Sequence, residues 1–257
     1  MTDTGHTVNI TDARAMIRLV GDVAAIEGSL VDKRRVLMDG LCQAVDADAW
    51  MWVVMRIDPD RPPHVVHYEY GRFSEQEFAL IVGAQSHEQY SLEQPAADTL
   101  MKFAFGQEHG TLALRQHLGD EQWFSNAFNR RYRQGWLDDA IFSILPVQPQ
   151  QLVTGIGIHR REGRPAFTPR EAQMVHIVAG EVRWLHEAII PGNKGQGVPE
   201  LTARQRQVLL LLMEGHAVKR VAHLLDLSYH TVDGYVKQVY RHYDVSSRAE
   251  LMRKFLG

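Results

Sequence analysis

Four residues near the C-terminus, His230, Gly234, Lys237 and Arg241, recur at steps of four, three and four. On an α-helix turning about 100° per residue they share one face, while Val232, Val236, Val239 and Tyr243 share the opposite one. The first face offers an imidazole, an ammonium and a guanidinium around one position that lacks a side chain. Donors so arranged suit phosphate oxygens and the acceptor edges of bases in a wide duplex groove. For a single lysine or arginine the ordinary reading is a solvated surface charge; it is the one-sided spacing that argues for an interface. Ser228 stands just before this helix as its N-cap, so the first-turn N–H groups would also face an anion.

Two further short helices must hold such a ridge upright. Thr202-x-x-Gln205 opens one by a capping box, Val208, Leu209 and Leu212 form its apolar face, and Glu214-Gly215 ends it. Residues 218–225 (VKRVAHLL) form the second, with Val221, Ala222 and Leu225 inward, and Asp226-Leu227-Ser228 is a tight turn into the third. A two-helix frame, a turn and a helix with a polar outer face make a helix-turn-helix layout, in which the last of these helices enters the major groove.

These residues resemble the LuxR/NarL-type helix-turn-helix regulators. The resemblance rests on 201–209 (LTARQRQVL), Glu214-Gly215, 219–222 (KRVA), 225–228 (LDLS), 231–236 (TVDGYV) and 243–251 (YDVSSRAEL), in register without a gap. It implies a four-helix domain that binds double-stranded DNA, with Lys219 on phosphate and Thr231 on the backbone. His230, Lys237 and Arg241 become the base-edge or phosphate candidates. It further implies a last helix, opened by Ser247-x-x-Glu250, whose Leu251, Met252 and Phe255 pair two subunits as a homodimer. The chain departs from the usual pattern at Gln205 and Arg220, where glutamates are common, and at Asp233, Gly234 and Tyr235. An acid beside phosphate is unfavourable, and Gly234 costs roughly 1 kcal/mol of helix propensity against alanine. Sequence preference is therefore expected to be unusual.

Charge follows the same division. From residue 198 onward nine Lys or Arg face six acids, which leaves a net +3 there and −6 on the rest of a chain whose total is −3. An acidic body with a small basic module suits a polyanion partner for the module alone. Residues 191–199 (PGNKGQGVP) hold no amphipathic period and read as a flexible linker, dividing a body at 1–190 from the module at 200–257.

The body alternates helical and strand signals. Met16, Leu19, Val23 and Ile26 predict an amphipathic helix, and Val36, Leu37, Leu41 and Val45 a second. Residues 49–58 and 64–70 predict a strand pair, as do 140–147 and 152–159. Capping boxes at Ser74-x-x-Glu77 and Thr168-x-x-Glu171 start later helices, the second with Pro169 at its first position. The expected fold is an α/β (α+β) sensor domain, a mostly antiparallel sheet flanked by helices, followed by an all-α module. It resembles, more loosely, the GAF- or PAS-like halves that precede such modules.

A sensor cavity needs aromatic walls and a few polar groups, and Trp52, Tyr68, Tyr70, Trp123, Phe128, Trp136 and Phe142 are the candidates. Core packing is the ordinary role for any one of them. The body lacks the acidic pair, phosphorylatable aspartate and later lysine of a receiver domain. The Trp-x-x-x-Tyr pattern with a following Asp-Pro, found in acyl-homoserine-lactone receptors, cannot be aligned on Trp50, Trp52 and Asp58-Pro59. His64 and His67 point to opposite faces of a strand, which argues against a metal pair, and Gly155-x-Gly157 lacks the third glycine of a dinucleotide loop. One cysteine, Cys42, excludes an intramolecular disulfide and falls on an apolar helical face. No apolar run approaches the ~20 residues of a membrane span, and the polar start predicts no secretory signal. The sequence thus predicts a cytoplasmic, non-enzymatic regulator without cofactor or metal, modulated by a small-molecule effector, a partner or self-association. The alternative is a haem, flavin or lactone sensor acting mainly through protein partners.

Overall fold

The computed structural model describes residues 7–58, 61–78, 96–106, 108–125, 137–147, 152–188, 201–213 and 215–256. Helix α1 (Ile10–Ala25) starts on an Asn9 capping box closed by Asp12, and α2 (Leu30–Ala44) on the equivalent Ser29 box closed by Asp32. Strands β1 (Ala49–Asp58) and β2 (Arg61–Gly71) pair antiparallel. The Ser74 box forms as read, its amide N–H donating to Glu77 at 2.5 Å.

Three short helices follow, α3 (Ala97–Gly106), α4 (Leu114–Leu118) and α5 (Asp120–Ser125), with strand β3 (Gly110–Ala113) between the first two. β3 was not legible as a strand, because four residues set between helices carry no period. Strands β4 (Leu137–Val147) and β5 (Leu152–Arg161) pair antiparallel as expected. Helix α6 (Pro169–Glu181) begins on the Thr168 box, and α7 (Arg183–Glu187) continues it.

The five strands form one antiparallel sheet in the order β2-β1-β5-β4-β3. Alternation sorts its side chains. Trp50, Trp52, Ile141 and Ile156 pack with apolar residues of α1, α2 and α6 on one face. On the other, Met55, Ile57, Leu112, Phe142 and Ile144 meet α3, α4 and α5. The α/β half is therefore the expected antiparallel sheet with helices on both sides. Cys42 is buried in the first of these layers, and burial pushes its thiol up to about 12, so it is inert at neutral pH.

The helical module contains α8 (Ala203–Met213), α9 (Val218–Leu225), α10 (Tyr229–His242) and α11 (Arg248–Leu256). Its core does not stop at its own boundary. Leu201, Leu209, Met213, Val239, Tyr243 and Leu251 are continuous with Ala13, Met16 and Ile17 of α1. Helix α1 is apolar on two sides and lies between the sheet's helical layer and α8 and α11. The linker expected at 191–199 lies outside the described residues.

Candidate nucleic-acid interface

The turn into α10 is set by its backbone. Asp226 closes α9 in the left-handed conformation, φ 52°, where short polar side chains are tolerated, and the Leu227 N–H returns to Ala222 O at 2.9 Å. Ser228 is then extended, and its Oγ accepts the Thr231 N–H at 3.1 Å. The amides of Tyr229 and His230 have no intrahelical acceptor and point along the helix start.

Val232 and Val236 pack among Val208, Leu212, Val221 and Ala222, which fixes the rotation of α10. Val239 and Tyr243, expected on the same helices, continue that seam past Leu209 and Met213 to α1. With this face sealed, His230, Thr231, Lys237 and Arg241 are exposed on the outside, and so is Lys219 at the start of α9. A Cβ placed on Gly234 would meet nothing within 4 Å, so the middle of the ridge is an open notch.

Asp233, which looked out of place beside phosphate, pairs with Lys237 one turn on, Nζ to Oδ2 at 2.9 Å. The hydrogen bond and charge of Asp233 raise the Lys237 pKa, so the ammonium is fully charged but already has a partner. A phosphate approaching Lys237 therefore meets the Asp233 carboxylate beside it. Gln205 absorbs the departure at its own position: its Oε1 accepts the Thr202 N–H, and its Nε2 donates to Gln238 Oε1 at 2.7 Å. The amide thus both caps α8 and ties it to α10.

The last helix starts on Ser247 as expected. Its Glu250 carboxylate reaches Ser246, accepting from the amide at 2.6 Å and from the hydroxyl, while Ser247 Oγ caps the Glu250 N–H at 3.2 Å. Leu251, expected at a subunit contact, is fully buried in the core shared with α1, so its side chain is not available for pairing in this arrangement. Met252 is half-buried against the same cluster, and nothing is described of the Phe255 side chain. Arg248 donates to the carbonyls of Gly215 and His216 at 3.1 and 3.2 Å and so pins α11 to the end of α8, a role its place in the sequence does not signal.

The five aromatic candidates among the described residues do not converge. Trp52 is buried on the α2 side of the sheet, stacked on His186 with ring centroids 4.3 Å apart. Trp123 and Phe142 lie together on the opposite face, the indole donating to Asp138 O at 2.8 Å. Tyr68 and Tyr70 sit on the edge strand β2, partly exposed, against Phe78. Phe128 and Trp136 lie outside the described residues. Core packing and an edge cluster account for the five that are seen.

Residues 199–255 match the family described as "Bacterial regulatory proteins, luxR family". These matched residues are the helical module that follows the α/β half. Solved structures similar to it include SdiA of Escherichia coli, at 16% identity and TM-score 0.44, covering 93% of this chain and 94% of that one. SdiA in complex with octanoyl-rac-glycerol is similar at 16% identity and TM-score 0.43, covering 99% and 96%. The ligand-binding domain of VqsR from Pseudomonas aeruginosa is similar at 14% identity and TM-score 0.44, covering 67% and 91%. No curated protein matches the chain. Among the described residues no helix is long and apolar enough to cross a membrane.

Proposed function

We propose that this chain is a transcriptional regulator that reads double-stranded DNA through α10 and that its α/β half modulates the reading. The observation that carries this is the division of α10: three valines seal one face, while His230, Lys237 and Arg241 flank an open notch at Gly234 on the other. Lys219 and Thr231 supply phosphate contacts, and the capped start at Ser228 presents main-chain donors to the same backbone. The luxR-family match supports the docking mode.

Two copies on a dyad-symmetric site complete the reading, with α11 as the expected pairing helix. Modulation passes through α1, which touches both halves of the chain. Selecting bound fragments from random duplex DNA, with the full chain and with residues 198–257, tests the proposal. Two half-sites of fixed spacing, with affinity differing between the two proteins, are the expected result. Recovery of no enriched sequence by either protein would overturn it.

A further inference from the structure

Helix α10 contains one acid, Asp233, among the outward donors His230, Lys237 and Arg241. Asp233 and Lys237 are four residues apart, so they stand about 40° apart around the helix axis. They pair on its outer side, Nζ to Oδ2 at 2.9 Å. Asp233 is also next to Gly234, where an added Cβ would meet nothing within 4 Å. A surface ion pair on one helix stabilises that helix only weakly. What gives this pair consequence is its place beside the notch.

The pair presents an edge of two kinds. An ammonium carries three N–H groups, and Asp233 takes one, which leaves two. The second carboxylate oxygen, Oδ1, accepts from no other residue among those described. One acceptor therefore stands beside two donors. A C·G base pair shows the complement in the major groove, with the cytosine N4 amino donor first and then guanine O6 and N7 as acceptors. An A·T pair sets its one donor, adenine N6, between two acceptors and ends in the thymine methyl. Against that pattern the same edge leaves an acceptor unmet. Set over thymine O4 or guanine O6, the carboxylate meets an acceptor and is repelled, and repulsion of wrong partners is as much a source of specificity as attraction of the right one.

Reach agrees with this. Aspartate has one methylene where lysine has a four-carbon stem. Asp233 can touch a base edge only if the backbone of α10 comes close to the groove floor, and the missing side chain at Gly234 permits that approach. The acid and the glycine, both departures from the pattern usual in luxR-type modules, then serve one contact.

We infer that the Asp233–Lys237 pair selects a C·G base pair in each half-site, Asp233 accepting from cytosine N4 and Lys237 donating to guanine O6 and N7. The inference rests on α10 as the reading helix and names what two of its residues read. It also explains why an acid is kept where phosphates approach: Asp233 lowers affinity for duplex in general and holds Lys237 toward the base edge.

The test selects bound fragments from a random duplex pool with the full-length parent, Asp233→Asn, Asp233→Ala, and the exchange that combines Asp233→Lys with Lys237→Asp. In the parent, one C·G pair should be fixed in each half-site, and replacing it in a synthetic duplex by any other pair should weaken binding about ten-fold. Asp233→Asn should move that position to A·T, because an amide matches adenine N6 and N7, and should bind unselected duplex more tightly. Asp233→Ala should leave the position unselected while the rest of the half-site is retained. The exchange keeps an ion pair on the same turn, so a merely structural pair would leave C·G in place, whereas base reading requires its loss in a protein that melts like the parent. A C·G preference that survives in Asp233→Ala or in the exchange would overturn the inference. Enriched half-sites without a fixed C·G pair in the parent would overturn this inference alone, and recovery of no enriched sequence would overturn the reading of DNA by α10 with it.

Discussion

Arg170, at the start of α6, holds Asp12, at the start of α1, with two guanidinium N–H groups; Nε donates to Oδ2 at 2.7 Å and Nη2 donates to Oδ1. Asp12 closes its own capping box as well, accepting from the Asn9 amide at 2.9 Å. The pair therefore joins the sheet's last long helix to α1, which also packs against α8 and α11 of the helical module.

Burial alone would raise the Asp12 carboxyl, but the Arg170 hydrogen bonds, the Asn9 amide and the Arg170 charge together hold it below its ordinary value. A carboxylate depressed in the folded state stabilises above its unfolded pKa of 3.8 and loses that contribution as pH falls through its lowered folded value. Arg170→Ala should destabilise the chain by about 1–3 kcal/mol at neutral pH. Urea unfolding of the single and double alanine variants checks this; a double variant as costly as the sum of the singles would deny the coupling.

Acid should act sooner through histidines. Burial takes His159 down to about 3, and His186 falls well below 6.5 through burial and the charges of His109, Arg183 and Arg34. Below about 6.5 the unfolded chain binds protons that these two rings refuse, so stability falls as pH falls. Each is worth up to about 1.4 kcal/mol per pH unit in that range. Urea midpoints from about pH 7 to about pH 5 should decline, and His186→Phe should flatten the decline.

At the interface, Asp233→Asn releases Lys237 from its 2.9 Å partner. DNA affinity should rise, and the dependence of log K on log salt should steepen by about one contact. An unchanged slope in a fluorescence titration would show that Lys237 does not reach phosphate.

Gly234→Ala fills open space and removes a helix penalty, so the module should gain roughly 1 kcal/mol. Gly234→Leu should keep the fold and lose duplex binding, because the side chain blocks the notch. Equal DNA affinity for the leucine variant and the parent would mean that the notch faces no groove.

Leu251→Ala should cost about 2–5 kcal/mol, since a fully buried side chain leaves a cavity between α11 and α1. Calorimetry of the full chain reads the loss directly.

The module was legible because its signals are local. Valine spacing, the Ser228 cap and the Thr202 box each lie within one or two turns, and each forms as read. The sheet was legible where strands were long enough to alternate, and β3, with four residues, was not. The hydrogen-bonded run from Ser143 through Thr111 to His176 was invisible because Thr111 meets Ser143 only through the β3–β4 register, and His176 arrives from a helix after β5. Trp52 and Trp123 pack on opposite faces of one sheet, a division that residue type cannot reveal. Asp233 looked unfavourable as a lone acid and is instead half of an ion pair.

The most direct measurement compares the parent chain with a His230→Ala, Lys237→Ala, Arg241→Ala variant, titrating duplex DNA at a series of salt concentrations. Loss of sequence-selective binding with a shallower salt slope, in a variant that melts like the parent, is the predicted result. Selective binding of equal strength and equal salt dependence in both proteins would contradict the assignment of α10 as the reading helix.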